Sequence, residues 1–96
     1  MTTQTFTAQM SVFKGRWRLY VVLLNTTKRW PEFTFTGSLA VPTFTQRTEA
    51  LSVLGFEPVP GTDWRWTEDS DDPDNPTSPV VLIAATRVRS WTGAIA

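Results

Sequence analysis

The chain has 96 residues, 41% of them hydrophobic, 12% aromatic and 19% charged, and its nine Lys and Arg balance nine Asp and Glu. That length suits a single small domain over residues 1–96 with one modest core, which five Trp and six Phe can fill. With no Cys and no His, disulfides, thiolate nucleophiles and zinc-thiolate sites are excluded, and the commonest general base and transition-metal ligand are missing, so most enzyme classes become improbable.

The first element alternates: Phe6, Ala8, Met10 and Val12 share one parity, and Thr5, Thr7, Gln9 and Ser11 the other, the period of a half-buried strand. A two-residue loop at Lys14-Gly15 then sets Phe6, Ala8, Met10 and Val12 opposite Leu23, Val21, Leu19 and Trp17, all apolar. The other face pairs Phe13 with Arg16, Ser11 with Arg18, Gln9 with Tyr20 and Thr7 with Val22. It is basic and polar near the turn and apolar toward its far end. A slip of one residue would mix the two faces, so the pattern specifies this register.

Residues 25–31 read as a connection, because Asn25-Thr-Thr favours local side-chain bonding and Pro31 disfavours a central strand. Residues 32–36 form a shorter third strand with Phe33 and Phe35 inward, closed by Gly37-Ser38. Thr43-Phe-Thr-Gln46 has the spacing of a capping box and opens the one helix, whose inward stripe is Phe44, Arg47, Ala50, Leu51 and Leu54, with the Arg47 stem along its apolar edge. Gly55 ends it in a left-handed cap, from which Phe56 can pack back on Leu51. Residues 57–61 are a stiff connector. A fourth strand carries Trp64 and Trp66 toward the core and Asp63, Arg65 and Thr67 away from it.

Residues 68–79 hold five acids and three prolines, too polar to pack and too proline-rich to pair, and residues 69–79 are expected as an acidic surface loop. The fifth strand, residues 80–89, is apolar on both faces over its first half, which places it centrally or under the helix. Residues 91–96 form a frayed tail unless Trp91 finds a pocket. A lone amphipathic helix cannot bury its stripe, so the fold class is α+β: two layers, a four- or five-stranded antiparallel sheet in the order β-β-β-α-β-β with the helix across one face. The other face is left to solvent or a partner.

The longest apolar run, residues 19–24, is far short of the roughly 20 residues of a membrane helix, and the polar start lacks the basic and apolar regions of a leader. A cytoplasmic protein with no membrane association is expected. Charge is placed unevenly: residues 1–31 hold Lys14, Arg16, Arg18, Lys28 and Arg29 and no acid, while residues 57–74 hold seven acids and only Arg65. The candidate binding residues are Arg16, Arg18, Tyr20, Val22, Leu24, Arg87 and Arg89 on the open face. Arginines beside a tyrosine there suit phosphates and stacked bases, or they pair with the acidic loop and solubilise the face.

The loop from Asp69 to Asn75 invites a calcium reading, yet Pro73, Pro76 and Pro79 interrupt every register that a Ca²⁺ loop requires. No metal or cofactor is expected. Nucleophile elbow, P-loop and dinucleotide-binding glycines are all missing, and Asp63 and Glu68 lie on opposite parities, so no acid/base pair converges.

The run Arg47-Thr-Glu-Ala-Leu51, then Leu54-Gly-Phe-Glu-Pro58, Gly61, Trp64-Arg-Trp66-Thr-Glu68, and later Val81-Leu-Ile-Ala84 with Arg87-Val-Arg89, resembles short uncharacterised proteins of Streptomyces and related actinobacteria. The resemblance spans most of the chain and implies a bacterial accessory protein, with no active site to carry over. The function expected is a non-enzymatic binding or regulatory module working through protein contacts, self-association into a homodimer among them. A nucleic-acid binder using the basic face is the alternative, and a small carboxylate-dependent enzyme the third.

Overall fold

The computed structural model describes residues 4–24, 26–37, 39–70 and 72–91. Seven elements follow in order: β1 (Thr5–Phe13), β2 (Arg16–Val22), β3 (Glu32–Thr34), α1 (Phe44–Leu54), β4 (Phe56–Pro58), β5 (Arg65–Ser70) and β6 (Val80–Ser90). The fold is the expected α+β arrangement, with one helix and an antiparallel sheet ordered β3-β2-β1-β6-β4, in which β5 also pairs with β6.

The first hairpin has the register that its alternation specifies, from Phe13 opposite Arg16 to Thr7 opposite Val22. Lys14 at φ 52° and Gly15 at φ 77° turn the chain between them. Two positive φ values in a two-residue loop twist the backbone the way paired strands twist, which keeps the hairpin regular. Phe35 N–H donates to the Trp17 carbonyl at 2.9 Å and carries the edge one step beyond β3.

The helix boundaries follow the local chemistry. Thr43 Oγ1 accepts from the Gln46 N–H at 3.1 Å, and Gln46 Oε1 accepts from the Thr43 N–H at 2.8 Å, closing the capping box. At the other end Gly55 sits at φ 91° and its N–H donates to the Leu51 and Ser52 carbonyls. The helix backbone comes nearest to β2, β3 and β4 as it crosses the sheet. Under it the core collects Ala8, Met10, Trp17, Leu19, Val21, Ala50, Leu51, Ala84 and Val88. Thr86, buried among them, is satisfied by donating to the Asp63 carbonyl at 3.2 Å.

Four expectations are corrected. The connector after the helix contains β4, because Phe56, Glu57 and Pro58 lie along the end of β6 opposite Ser90, Arg89 and Val88. The fourth strand runs on into the acidic stretch, with Glu68, Asp69 and Ser70 paired to Leu82, Val81 and Val80, since an edge strand tolerates solvated carboxylates. Phe44 belongs to the predicted stripe but is exposed, and Trp66 has the core parity yet lies beyond the helix, 42% exposed. β6 is the central strand expected, with β1 on one side and β4 and β5 on the other, but its pairing with β1 stops at Met10 opposite Ala84, so its first half pairs with β5 alone. Residues 92–96 lie outside the described residues; Trp91, just before them, donates its N–H to the Gly55 carbonyl at 2.9 Å.

Candidate functional site

The side of the sheet away from α1 carries the residues that the alternation assigns to it. Register places Arg16, Arg18, Tyr20 and Val22 of β2 beside Phe13, Ser11, Gln9 and Thr7 of β1, and Thr7 and Thr5 beside Arg87 and Arg89 of β6. Six of the seven candidate residues therefore share one face. Leu24 does not extend the row, because β2 ends at Val22 and Leu24 projects into solvent beyond it.

The arginines are not equivalent. Arg18 Nε donates to Glu32 Oε1 at 2.9 Å, and a second contact from its Nη2 completes the ion pair. Arg89 Nε donates to Glu57 Oε2 at 2.7 Å across the β4–β6 pair. Both carboxylates come from neighbouring strands and neither from the acidic loop. Arg16 and Arg87, by contrast, have no carboxylate within ion-pair distance among the described residues. They stand at opposite ends of the face, so the basic surface is two separate points and not one stripe.

Aromatic side chains gather around Arg18 on that surface. Tyr20 stacks on Trp30 with ring centroids 6.1 Å apart and 19° between planes. Two hydrogen bonds hold the pair: Tyr20 Oη donates to Gln9 Oε1 at 3.0 Å, and Trp30 Nε1 donates to the Leu23 carbonyl at 2.9 Å. The Arg18 guanidinium lies 4.7 Å from the centroid of Phe13. Ser11, Phe13, Arg18, Tyr20, Trp30 and Glu32 together line a shallow groove on the open face. Phe13 and Trp30 present ring surface to water beside the Arg18–Glu32 pair, the chemistry of a contact surface able to take an apolar anchor.

Trp30 and Glu32 are not among the residues to which strand alternation and charge point. Trp30 falls in a connection with no strand period, but it precedes Pro31, which forces extended backbone and so holds its ring alongside β2. That dipeptide is the signal in the sequence that could have found it.

Elsewhere, Arg47 lies with its guanidinium 5.2 Å from the Trp64 ring centroid while Nε donates to the Pro42 carbonyl at 2.9 Å. Burial lowers its pKa from the ordinary arginine value. The stem along the apolar edge, expected from helical spacing, is thus a clamp between the segment before the helix and Trp64, which precedes β5. Among the described residues, no three His, Cys, Asp or Glu side chains group as a metal cage, and no helix is long and apolar enough to cross a membrane.

A model described as a family of unknown function, DUF6303, matches residues 4–96. No curated protein and no solved structure matches the chain.

Proposed function

The chain belongs to the DUF6303 family, and for this member we propose a non-enzymatic binding module that docks a segment of another polypeptide on the open sheet face. The observation that carries this reading is the groove of Phe13, Tyr20 and Trp30 beside the Arg18–Glu32 pair. A solvated sheet face gains little from three large rings, whereas rings flanked by arginine are the composition of interface anchors. The segment that fits is one offering an apolar or aromatic side chain to the groove and a carboxylate to Arg16 or Arg87. The reading includes an actinobacterial source, supported by the resemblance to short Streptomyces proteins, a regulatory role, and a cytoplasmic location, supported by the shortness of the apolar runs.

The test is recovery of a partner from native cells by the wild-type chain and by a Tyr20→Ala, Trp30→Ala variant, each with and without nuclease. A protein captured by the wild type despite nuclease, and not by the variant although its circular dichroism is unchanged, supports the reading. A partner retained by the variant overturns it.

Arg16 and Arg87, which have no carboxylate partner among the described residues and share the face that carries the aromatic stack, support a second reading, a nucleic-acid binder. Arg16→Gln with Arg87→Gln then lowers the salt slope of binding by about one for each phosphate that is no longer neutralised. Recovery that nuclease abolishes favours this second reading over the first.

A further inference from the structure

The sheet is split at the end that carries both the β1–β2 turn and the β5–β6 loop. β1 and β6 pair from Thr5 opposite Arg89 to Met10 opposite Ala84, although β1 continues to Phe13 and β6 begins at Val80. Past the split the β1–β2 hairpin is one prong and the β5–β6 hairpin the other.

On the core parity of these prongs, Val12 of the first and Trp66, Val80 and Leu82 of the second are between 40 and 59% exposed. None of the four belongs to the core cluster that the helix covers. Trp66 is held edge-on to the buried Trp17, ring centroids 5.9 Å apart and planes at 88°, so the exposed ring is fixed in place. Apolar side chains grouped in this way are what an interface covers.

The prongs are opposite in charge. Lys14 and Arg16 stand on the first, which contains no acid, and Glu68, Asp69, Asp72 and Asp74 stand exposed on the second, where residues 66–79 contain no Lys or Arg. Among the described residues no ion pair joins one prong to the other. An end that carries both signs side by side, with apolar side chains between, is complementary to its own image after half a turn.

We propose that this end is a homodimer interface, in which a second copy of the chain sets its basic prong on the first copy's acidic prong and both bury Val12, Trp66, Val80 and Leu82. The contact is isologous: every pairing occurs twice, and the assembly closes at two. It buries the core-parity side of the prongs and not the aromatic groove on the opposite face, Arg16 alone being common to both readings, and stands whether or not that groove docks a polypeptide.

Sedimentation velocity over a concentration series tests it with two charge reversals. Lys14→Glu with Arg16→Glu makes both prongs acidic, and Glu68→Lys with Asp74→Lys makes both basic. The wild type is expected to dimerise reversibly, more weakly as salt rises. Each variant alone should show a dissociation constant raised about tenfold or more, and the two mixed in equal amounts should dimerise again. Leu82→Lys should abolish the dimer with circular dichroism unchanged, while Tyr20→Ala with Trp30→Ala should dimerise as the wild type does. A wild type that stays monomeric to about 1 mM, a variant that dimerises alone as the wild type does, or a mixture that stays monomeric overturns the proposal.

Discussion

At Gly55 the backbone sits at φ 91° with nothing within 4 Å of the place a Cβ would take. The glycine is there for conformation and not for space, because an L side chain is disfavoured in the left-handed region that the cap uses. Gly55→Ala should therefore cost about 1 kcal/mol, read as a lowered midpoint in urea with an unchanged slope. Thr43→Val removes the hydroxyl that accepts the Gln46 N–H and leaves that donor to water, at a cost of about 1 kcal/mol by the same measurement. Leu51, on the inward side of α1, is fully buried, so Leu51→Ala leaves a cavity and should cost about 2–5 kcal/mol. The first two of these positions are legible in the sequence because capping depends on residues three or four apart. Phe44 is not, since helical spacing assigns a face and not what lies opposite that face.

Strand pairing repeats the contrast one level up. The β1–β2 register can be read because a two-residue turn leaves one alignment that segregates apolar from polar side chains. β4 cannot, because three residues containing a proline have no period and are ordered only by lying against β6. In the β5–β6 connection the hydrogen bonds close on the loop itself: Asp72 N–H donates to Ser78 Oγ at 3.1 Å and Asp74 N–H to Asp72 Oδ1 at 3.1 Å. Among the described residues, none of this connection belongs to the core or packs against it. Replacing residues 73–77 by two glycines should therefore change stability by less than about 0.5 kcal/mol, seen as a nearly unchanged melting temperature.

Over the whole molecule, extents of 52 × 32 × 28 Å describe an elongated body. The core lies toward one end, under α1, and the two prongs occupy the other. Stability is expected to follow that division. Amides of residues 84–88, held between β1 on one side and β4 and β5 on the other, should exchange with deuterium only on global unfolding. Those of residues 80–82 should exchange faster in dilute solution and slow markedly at concentrations where the chain is dimeric. Equal protection of the two halves of β6 in dilute solution would contradict the split sheet. The candidate face divides the same way: alternation alone puts Arg16, Arg18, Tyr20, Arg87 and Arg89 on one side, but it takes the neighbouring strands to neutralise Arg18 with Glu32 and Arg89 with Glu57.

What the sequence determined by itself is what short range decides: the hairpin register, the helix from its Thr43 cap to its Gly55 stop, the α+β class and the parity of every residue on β1 and β2. Turn geometry, capping bonds and alternation act over a few residues and need no knowledge of the rest of the chain. Only the tertiary structure decided which core-parity side chains are covered. Val12, Trp66, Val80 and Leu82 share the parity of Met10 and Ala84, yet they stay exposed because α1, at 11 residues, lies over one end of the sheet and stops short of the other. Periodicity says which way a side chain points, but burial depends on where the second layer ends, and that is set by long-range packing.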